Sequence, residues 1–354
     1  MNKKLIYLNW FNVDPTPGSF RDYYSRVYDI TACGVDRFNL LEDIDPQPDH
    51  LKFKNIVPEP VYNLHNLTTD WKDRYWSICD QVGEKIFQKA GDREIVLMYS
   101  GGIDSTVALV SMMKNPKFND LLKQNRFRIG LTSNSILEYP EFFYNKILPN
   151  MPLAPANYDK EMADTNVFLV TGDAGDYVIG NTDTPIFSHQ GTIDNMSAPK
   201  EVVFEYLNTI DESGQFVNFL SKLCKKAPFD IVSINQAYWW IGQAFVHQGE
   251  MCYPFIWSSV SDLSELPTFN KVFRFFLDDL FNTFTFEYMS TNPYYTDYNS
   301  VRQFPREYIV DYTKDQSYLK KVKVFSQKLT LRRIQKTRVY EDLSYEFTNK
   351  KVKT

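Results

Sequence analysis

A chain of 354 residues with 43% hydrophobic and 23% charged residues has globular composition, neither fibrous nor disordered, and its length suits two domains or one large one. With 39 Lys and Arg against 44 Asp and Glu, the net charge of −5 argues against a broad nucleic-acid-binding surface and leaves only local basic stretches for that purpose. No run approaches the ~18 consecutive apolar residues of a spanning helix, so no membrane partner is expected.

Residues 1–66 read as a loop-rich region, punctuated by Pro15, Pro17, Pro46, Pro48, Pro58 and Pro60. The apolar run after the opening lysines is broken by Asn9, Asn12 and Asp14, so no secretory signal is expected. Thr69 or Asp70 then caps a helix whose apolar residues, from Trp71 through Tyr75, Ile78, Val82, Ile86 and Phe87, recur at helical spacing as far as Gly91. Ile95–Tyr99 is a short continuous apolar run bounded by charge and glycine, the pattern of a buried parallel strand. A helix over 105–114 stops before Pro116, and further strands are predicted over 127–133 and 166–171. Strands alternating with helices imply a parallel sheet with right-handed crossovers. Residues 67–190 are therefore expected to form a nucleotide-binding α/β core.

Residues 191–354 read as a mostly helical, substrate-binding region, with helices predicted over 201–210, 215–226, 231–247 and 269–284. Tyr238, Trp239 and Trp240 fall within one of them, where packing in a helical core is the expected role and stacking on a substrate the alternative. From Lys314 onward the tail is basic, and a solvated face is the default for such a run. The four cysteines and four histidines are scattered, without a CxxC pair, so neither a local zinc site nor a dense disulfide framework is expected. A reducing, cytoplasmic location follows from the same pattern.

The chemistry concentrates between the first strand and its helix. There Ser100-Gly101-Gly102-Ile103-Asp104-Ser105 offers two glycines for a tight turn and close approach to an anion. The following helix supplies unpaired N–H groups and the positive end of its dipole, and the serines add hydroxyls. Asp104 beside phosphates makes sense as a Mg²⁺ ligand. The lysine of a Walker A loop is missing, and the pattern is not GxGxxG. A second loop, Thr171-Gly172-Asp173-Ala174-Gly175-Asp176, closes the third predicted strand, at the end where open α/β sheets bind ligands.

The first loop resembles the signature of the ATP pyrophosphatase (PP-loop) superfamily, and the two loops together resemble its asparagine synthetase-like members, whose second loop reads roughly G-[DE]-G-[GS]-D-E. Asp173 and Asp176 match the two acids and Gly180 a following glycine, whereas Tyr177 stands where those proteins carry Glu. The resemblance covers about residues 94–180. It implies a Rossmann-like, adenine nucleotide alpha hydrolase-like fold and an enzyme that splits ATP between its α and β phosphates to adenylate a substrate. On that basis Ser100, Gly101, Gly102, Ile103 and Ser105 would hold the pyrophosphate, and Asp104 and Asp176 would bind Mg²⁺. Met98, Thr171 and Gly172 would border the adenosine, with Leu131 or Thr132 against adenine, and Asp104 and Asp173 would serve catalysis. Segments 252–256 and 292–297 faintly resemble the family's R-x-P-F-x-D stretch. A catalytic lysine follows that stretch in the family, which makes Lys320, Lys321 and Lys323 candidates, Lys320 and Lys321 foremost.

Glutamine-using asparagine synthetases carry a cysteine directly after the initiator Met, where this chain has Asn2, and too few residues precede the first strand for a glutaminase. Ammonia, a substrate amine or a separate amidotransferase is therefore expected to bring nitrogen to a small-molecule or peptide substrate. The clustered zinc cysteines of 7-cyano-7-deazaguanine synthases and the paired cysteines of sulfur-transferring tRNA enzymes are missing. A nucleobase- or tRNA-modifying enzyme, and a non-catalytic nucleotide-binding protein, stand as alternatives, nucleic acid being the less favoured partner. Glu138 and Glu141 could contact substrate, or stand at the core edge.

Overall fold

The computed structural model describes residues 61–62, 64, 70–179, 199–201, 204–205, 215–246, 271–292 and 302–321. Helix α1 (Trp71–Ala90) leads into β1 (Glu94–Tyr99), α2 (Ile103–Lys114) and α3 (Lys117–Lys123). Strand β2 (Phe127–Leu131) runs into α4 (Ser133–Glu138), then β3 (Leu153–Pro155), α5 (Tyr158–Ala163), β4 (Val167–Thr171) and the short α6 (Asp176–Ile179). Later come α7 (Gln215–Lys225), α8 (Ile234–Ile241), β5 (Val272–Arg274), α9 (Asp279–Thr291) and α10 (Gln303–Thr313). The strands form one sheet in the order β3-β2-β1-β4-β5, every pairing parallel. This is an α/β, Rossmann-like fold, and the chain reverses direction across the sheet between β1 and β4.

The strand period of two sorts side chains onto unequal faces. Ile95, Leu97, Tyr99, Phe127, Ile129, Phe168, Val170 and Phe273 enter the main core, under α1, α2, α9 and α10. Val96, Met98, Val167 and Leu169 enter a smaller cluster with Met162 of α5. On that thinner side Arg128 joins the carboxylates of Glu94 and the buried Glu161.

Among the described residues, aromatic side chains pack largely between helices. Trp71 packs edge-on against Phe284 and Tyr288, while Tyr75 meets Phe281, Phe284 and Phe304, which ties α1 to α9 and α10. Trp239 and Trp240 are buried, donating their indole N–H groups to Thr285 Oγ1 at 2.7 Å and Leu223 O at 2.8 Å, so both serve the core.

Several boundaries differ from the sequence expectation. The second strand stops at Leu131, because Thr132 and Ser135 pair their hydroxyls at 3.2 Å and open α4. The helix expected over 269–284 is instead strand β5, a 3₁₀ turn (Phe275–Leu277) and α9, which starts where the Asp278 side chain accepts from Leu280 N at 3.1 Å. Helix α8 passes at Gly242 into a π-helical turn. Most of 1–66, the four histidines, residues 252–256 and 293–297, Gly180, Lys323 and the tail beyond Lys321 lie outside the described residues.

Candidate functional site

The carboxyl ends of β1 and β4 meet at the strand-order reversal, where two crossovers leave in opposite directions and a crevice results. The loop after β1 is stitched by its own serines. Ser100 Oγ and Ser105 Oγ lie 2.9 Å apart, Ser100 N donates to Ser105 Oγ at 3.1 Å, and Gly102 N donates to Ser100 Oγ at 3.2 Å. Thr106 holds the first turn of α2 by donating its hydroxyl to Gly102 O at 2.7 Å. Gly101 sits at φ +76°, and a Cβ there would lie 2.1 Å from Ser135 O, so α4 presses directly on the turn.

The second loop closes over the first. A Cβ on Gly172 would lie 2.6 Å from Ser105 N, and one on Gly175 would lie 2.4 Å from Asp104 Oδ1. The missing side chains at 172 and 175 thus make room for the start of α2 and for the Asp104 carboxylate. Between them Ala174 holds φ +71°, a left-handed conformation costing about 1–2 kcal/mol for a residue with Cβ.

Asp104 opens α2 and Asp176 opens α6. Gly175, the neighbour of Asp176 in the chain, lies against the Asp104 carboxylate, which brings the two acids to one end of the site. Two carboxylates at such a loop would suit Mg²⁺, which takes one or two protein carboxylates and completes its shell from other oxygens and water. Among the described residues no group of three or more metal-ligating side chains occurs. Asp176 also has a partner that sequence reasoning missed: its Oδ1 accepts from Arg302 Nη2 at 2.7 Å. Asp173 lies 3.8 Å from Arg274 Nη1. The backbone carbonyl of Tyr177 accepts from Gln243 Nε2 at 3.2 Å, which joins the second loop to the turn after α8.

Of the two candidate lysines, Lys321 reaches the loop and Lys320 stands exposed. Lys321 Nζ lies 3.3 Å from Gly101 O and 3.3 Å from Glu138 Oε2, with the lysine side chain 13% and the glutamate 4% exposed. The ammonium also lies over the rings of Tyr139 and Tyr318, at 5.5 and 5.2 Å from their centroids. Burial lowers its pKa from the ordinary lysine value, and Glu138 opposes that shift only in part. Glu138 is thus the partner of this lysine, while Glu141 is exposed. Met98, Thr171 and Gly130 share one register across β1, β4 and β2, and Thr132 follows β2 directly. The nucleotide-binding candidates therefore border one crevice, and Ile103 is buried as the first residue of α2.

Comparison with known proteins finds limited similarity to GMP synthases (glutamine-hydrolyzing) of Clostridium botulinum. One, from strain Kyoto / Type A2, is 28% identical over 127 residues, which are 32% of this chain and 24% of the relative. Another, from strain Hall / ATCC 3502, is 34% identical over 70 residues, 20% of this chain and 13% of the relative. The matched stretches thus span about a quarter or less of those proteins' own length. The similarity is consistent with the ATP pyrophosphatase superfamily, to which GMP synthases belong, and it does not single out asparagine synthetases. No protein-family model matches the chain, and no solved structure matches it significantly.

Proposed function

We propose that the chain is an ATP-dependent, AMP- and pyrophosphate-forming carbon–nitrogen ligase that adenylates an acceptor carboxylate or carbonyl. The observation that carries this reading is the serine-stitched loop at the strand-order reversal, with Lys321 held against its backbone. Adenosine would lie over Met98, Thr171, Gly172 and Thr132. The N–H groups of Gly101, Ile103 and Ser105 and the hydroxyls of Ser100 and Ser105 would hold the pyrophosphate, with Gly102 leaving room for it, in the positive field at the start of α2. Asp104 and Asp176 would hold Mg²⁺, which supplies charge neutralisation on the leaving phosphates. Asp173, on the second loop, would face the reacting groups. Lys321 would stabilise negative charge developing as the acceptor oxygen attacks the α-phosphate. Attack by ammonia or an amine, delivered free or by a separate amidotransferase, would then displace AMP. The protein's share is positioning and preorganised charge.

The test incubates the full chain with α-labelled ATP, Mg²⁺, ammonium and a panel of small carboxylates and peptides. AMP and pyrophosphate are expected; ADP and phosphate would overturn the reading. Asp104→Asn is expected to lower turnover on the order of 10²-fold, by weakening metal and pyrophosphate binding, with folding intact. Circular dichroism and an AMP assay check it together. A second reading places the acceptor oxygen on a purine nucleotide, because the similar proteins are named for GMP. Adding purine nucleotides with a ring carbonyl to the panel separates the two.

A further inference from the structure

Arg274 closes β5 and stands beside Thr171 in register. Alternation puts Thr171 on the face of Val167 and Leu169, and Arg274 on that of Val272, which packs against the same small cluster as Met98. Met98, Thr171 and Arg274 thus form a row across the carboxyl end of the sheet. The Arg274 side chain is 2% exposed, yet among the described residues its Nε, Nη1 and Nη2 have no hydrogen-bond partner. Thr171 Oγ1, also buried, has none among the described residues either. The counter-charge, Asp173 Oδ2, lies 3.8 Å from Nη1, beyond hydrogen-bond reach.

Buried guanidinium groups are ordinarily paired and hydrogen-bonded, because removal from water strips five donors at once. One that uses none of its donors is built to receive a partner. Its planar fork matches a carboxylate or phosphate edge, and the neighbouring hydroxyl adds a third hydrogen bond. The position lies two strand spacings from β1, roughly 10 Å, on the side away from β2, where adenine is placed.

We propose that Arg274 and Thr171 form a binding position for an oxyanion of the second substrate, a carboxylate or a phosphate, beside the nucleotide. The description of that ligand as a second substrate rests on the function proposed above; the oxyanion binding itself requires no ATP.

The experiment titrates the full-length protein with succinate and with inorganic phosphate, without nucleotide, by calorimetry, and repeats the titration on Arg274→Met, Arg274→Lys and Thr171→Val. At least one probe is expected to bind the natural chain. Arg274→Met should weaken it tenfold or more, Thr171→Val less, with Arg274→Lys between. Whichever probe binds identifies the anion as carboxylate or phosphate. Without probe, Arg274→Met is expected to melt at the same temperature or higher, because the buried charge loses only its 3.8 Å pairing with the 38% exposed Asp173 side chain. A lower melting temperature with no probe bound by the natural chain would make the arginine structural and overturn the proposal, as would unchanged affinity in Arg274→Met. A non-hydrolysable ATP analogue should bind Arg274→Met as it binds the natural chain; a parallel loss would assign the oxyanion to the nucleotide and overturn the second-substrate assignment. Arginine-dependent probe binding in a protein that forms no AMP would sink the ligase reading and leave this site standing.

Discussion

Lys321→Met is expected to lower turnover by about 10²–10³-fold and to destabilise the fold by about 3–5 kcal/mol. The two losses have different causes. Turnover falls because the ammonium, 3.3 Å from Gly101 O, is a positive charge held against the loop that would hold the leaving group. Stability falls because Glu138, 4% exposed, keeps its carboxylate with its cation removed. The double variant Lys321→Met with Glu138→Leu separates them: it should recover most of the stability, since both charges leave the interior, and none of the turnover. Urea denaturation and AMP formation measure the two effects on the same samples. The pH dependence carries a sign that distinguishes the roles. Burial lowers the Lys321 pKa, so the charge that the proposed reaction would use is lost as pH rises through a value below the ordinary ~10.4. Between that value and ~10.4 the folded state binds fewer protons than the unfolded chain, so this group's contribution to stability rises with pH over the window in which activity falls. Lys321→Arg, charged throughout, should remove the alkaline limb from whatever turnover it retains.

The central part of this arrangement was legible in the sequence for a definite reason. Buried parallel strands are continuous apolar runs, so β1, β2 and β4 stand out, and the SGGIDS loop is a local arrangement whose glycines, serines and aspartate act together within six residues. Strands β3 and β5 are three residues each, too short to show a period. Beyond Arg274 the apolar residues resume at Phe275, Phe276 and Leu277, so the segment fits a helix as well as a strand, and long-range pairing with β4 decides. Asp278, the cap of α9, was the one signal that could have moved the helix start. The charged partners were harder still. Lys321 meets Gly101 across 220 residues and Arg302 meets Asp176 across 126, and no local pattern encodes such a meeting. The lysine run gave three adjacent candidates with identical chemistry. The packing of Tyr318 and Tyr139, the pairing with Glu138 and the contact with Gly101 O distinguish the buried Lys321 from the exposed Lys320.

Gly101→Ala is expected to cost about 2–4 kcal/mol and to weaken nucleotide binding on the order of 10²-fold. Two penalties combine. A left-handed φ of +76° costs a residue with Cβ about 1 kcal/mol or more. The added methyl would also sit 2.1 Å from Ser135 O, a backbone atom at the start of α4, and relief of such overpacking costs about 1–3 kcal/mol. The route of relief matters more for function than the total. Moving α4 outward carries Glu138 away from Lys321, and moving the turn inward breaks the Ser100–Ser105 hydroxyl pair. Either way the cradle and its lysine lose register together. Gly91 supplies the control, because it too has positive φ, +57°, but a Cβ there would meet nothing within 4 Å. Gly91→Ala should therefore cost only the conformational penalty of its backbone angles, about 1–3 kcal/mol, and leave nucleotide affinity and turnover unchanged. Thermal melts of both variants, with equilibrium binding of an ATP analogue, decide the matter. Equal losses of affinity in the two would mean that the backbone angle alone governs the loop, and that the pressure of α4 on Gly101 has no part in shaping the site.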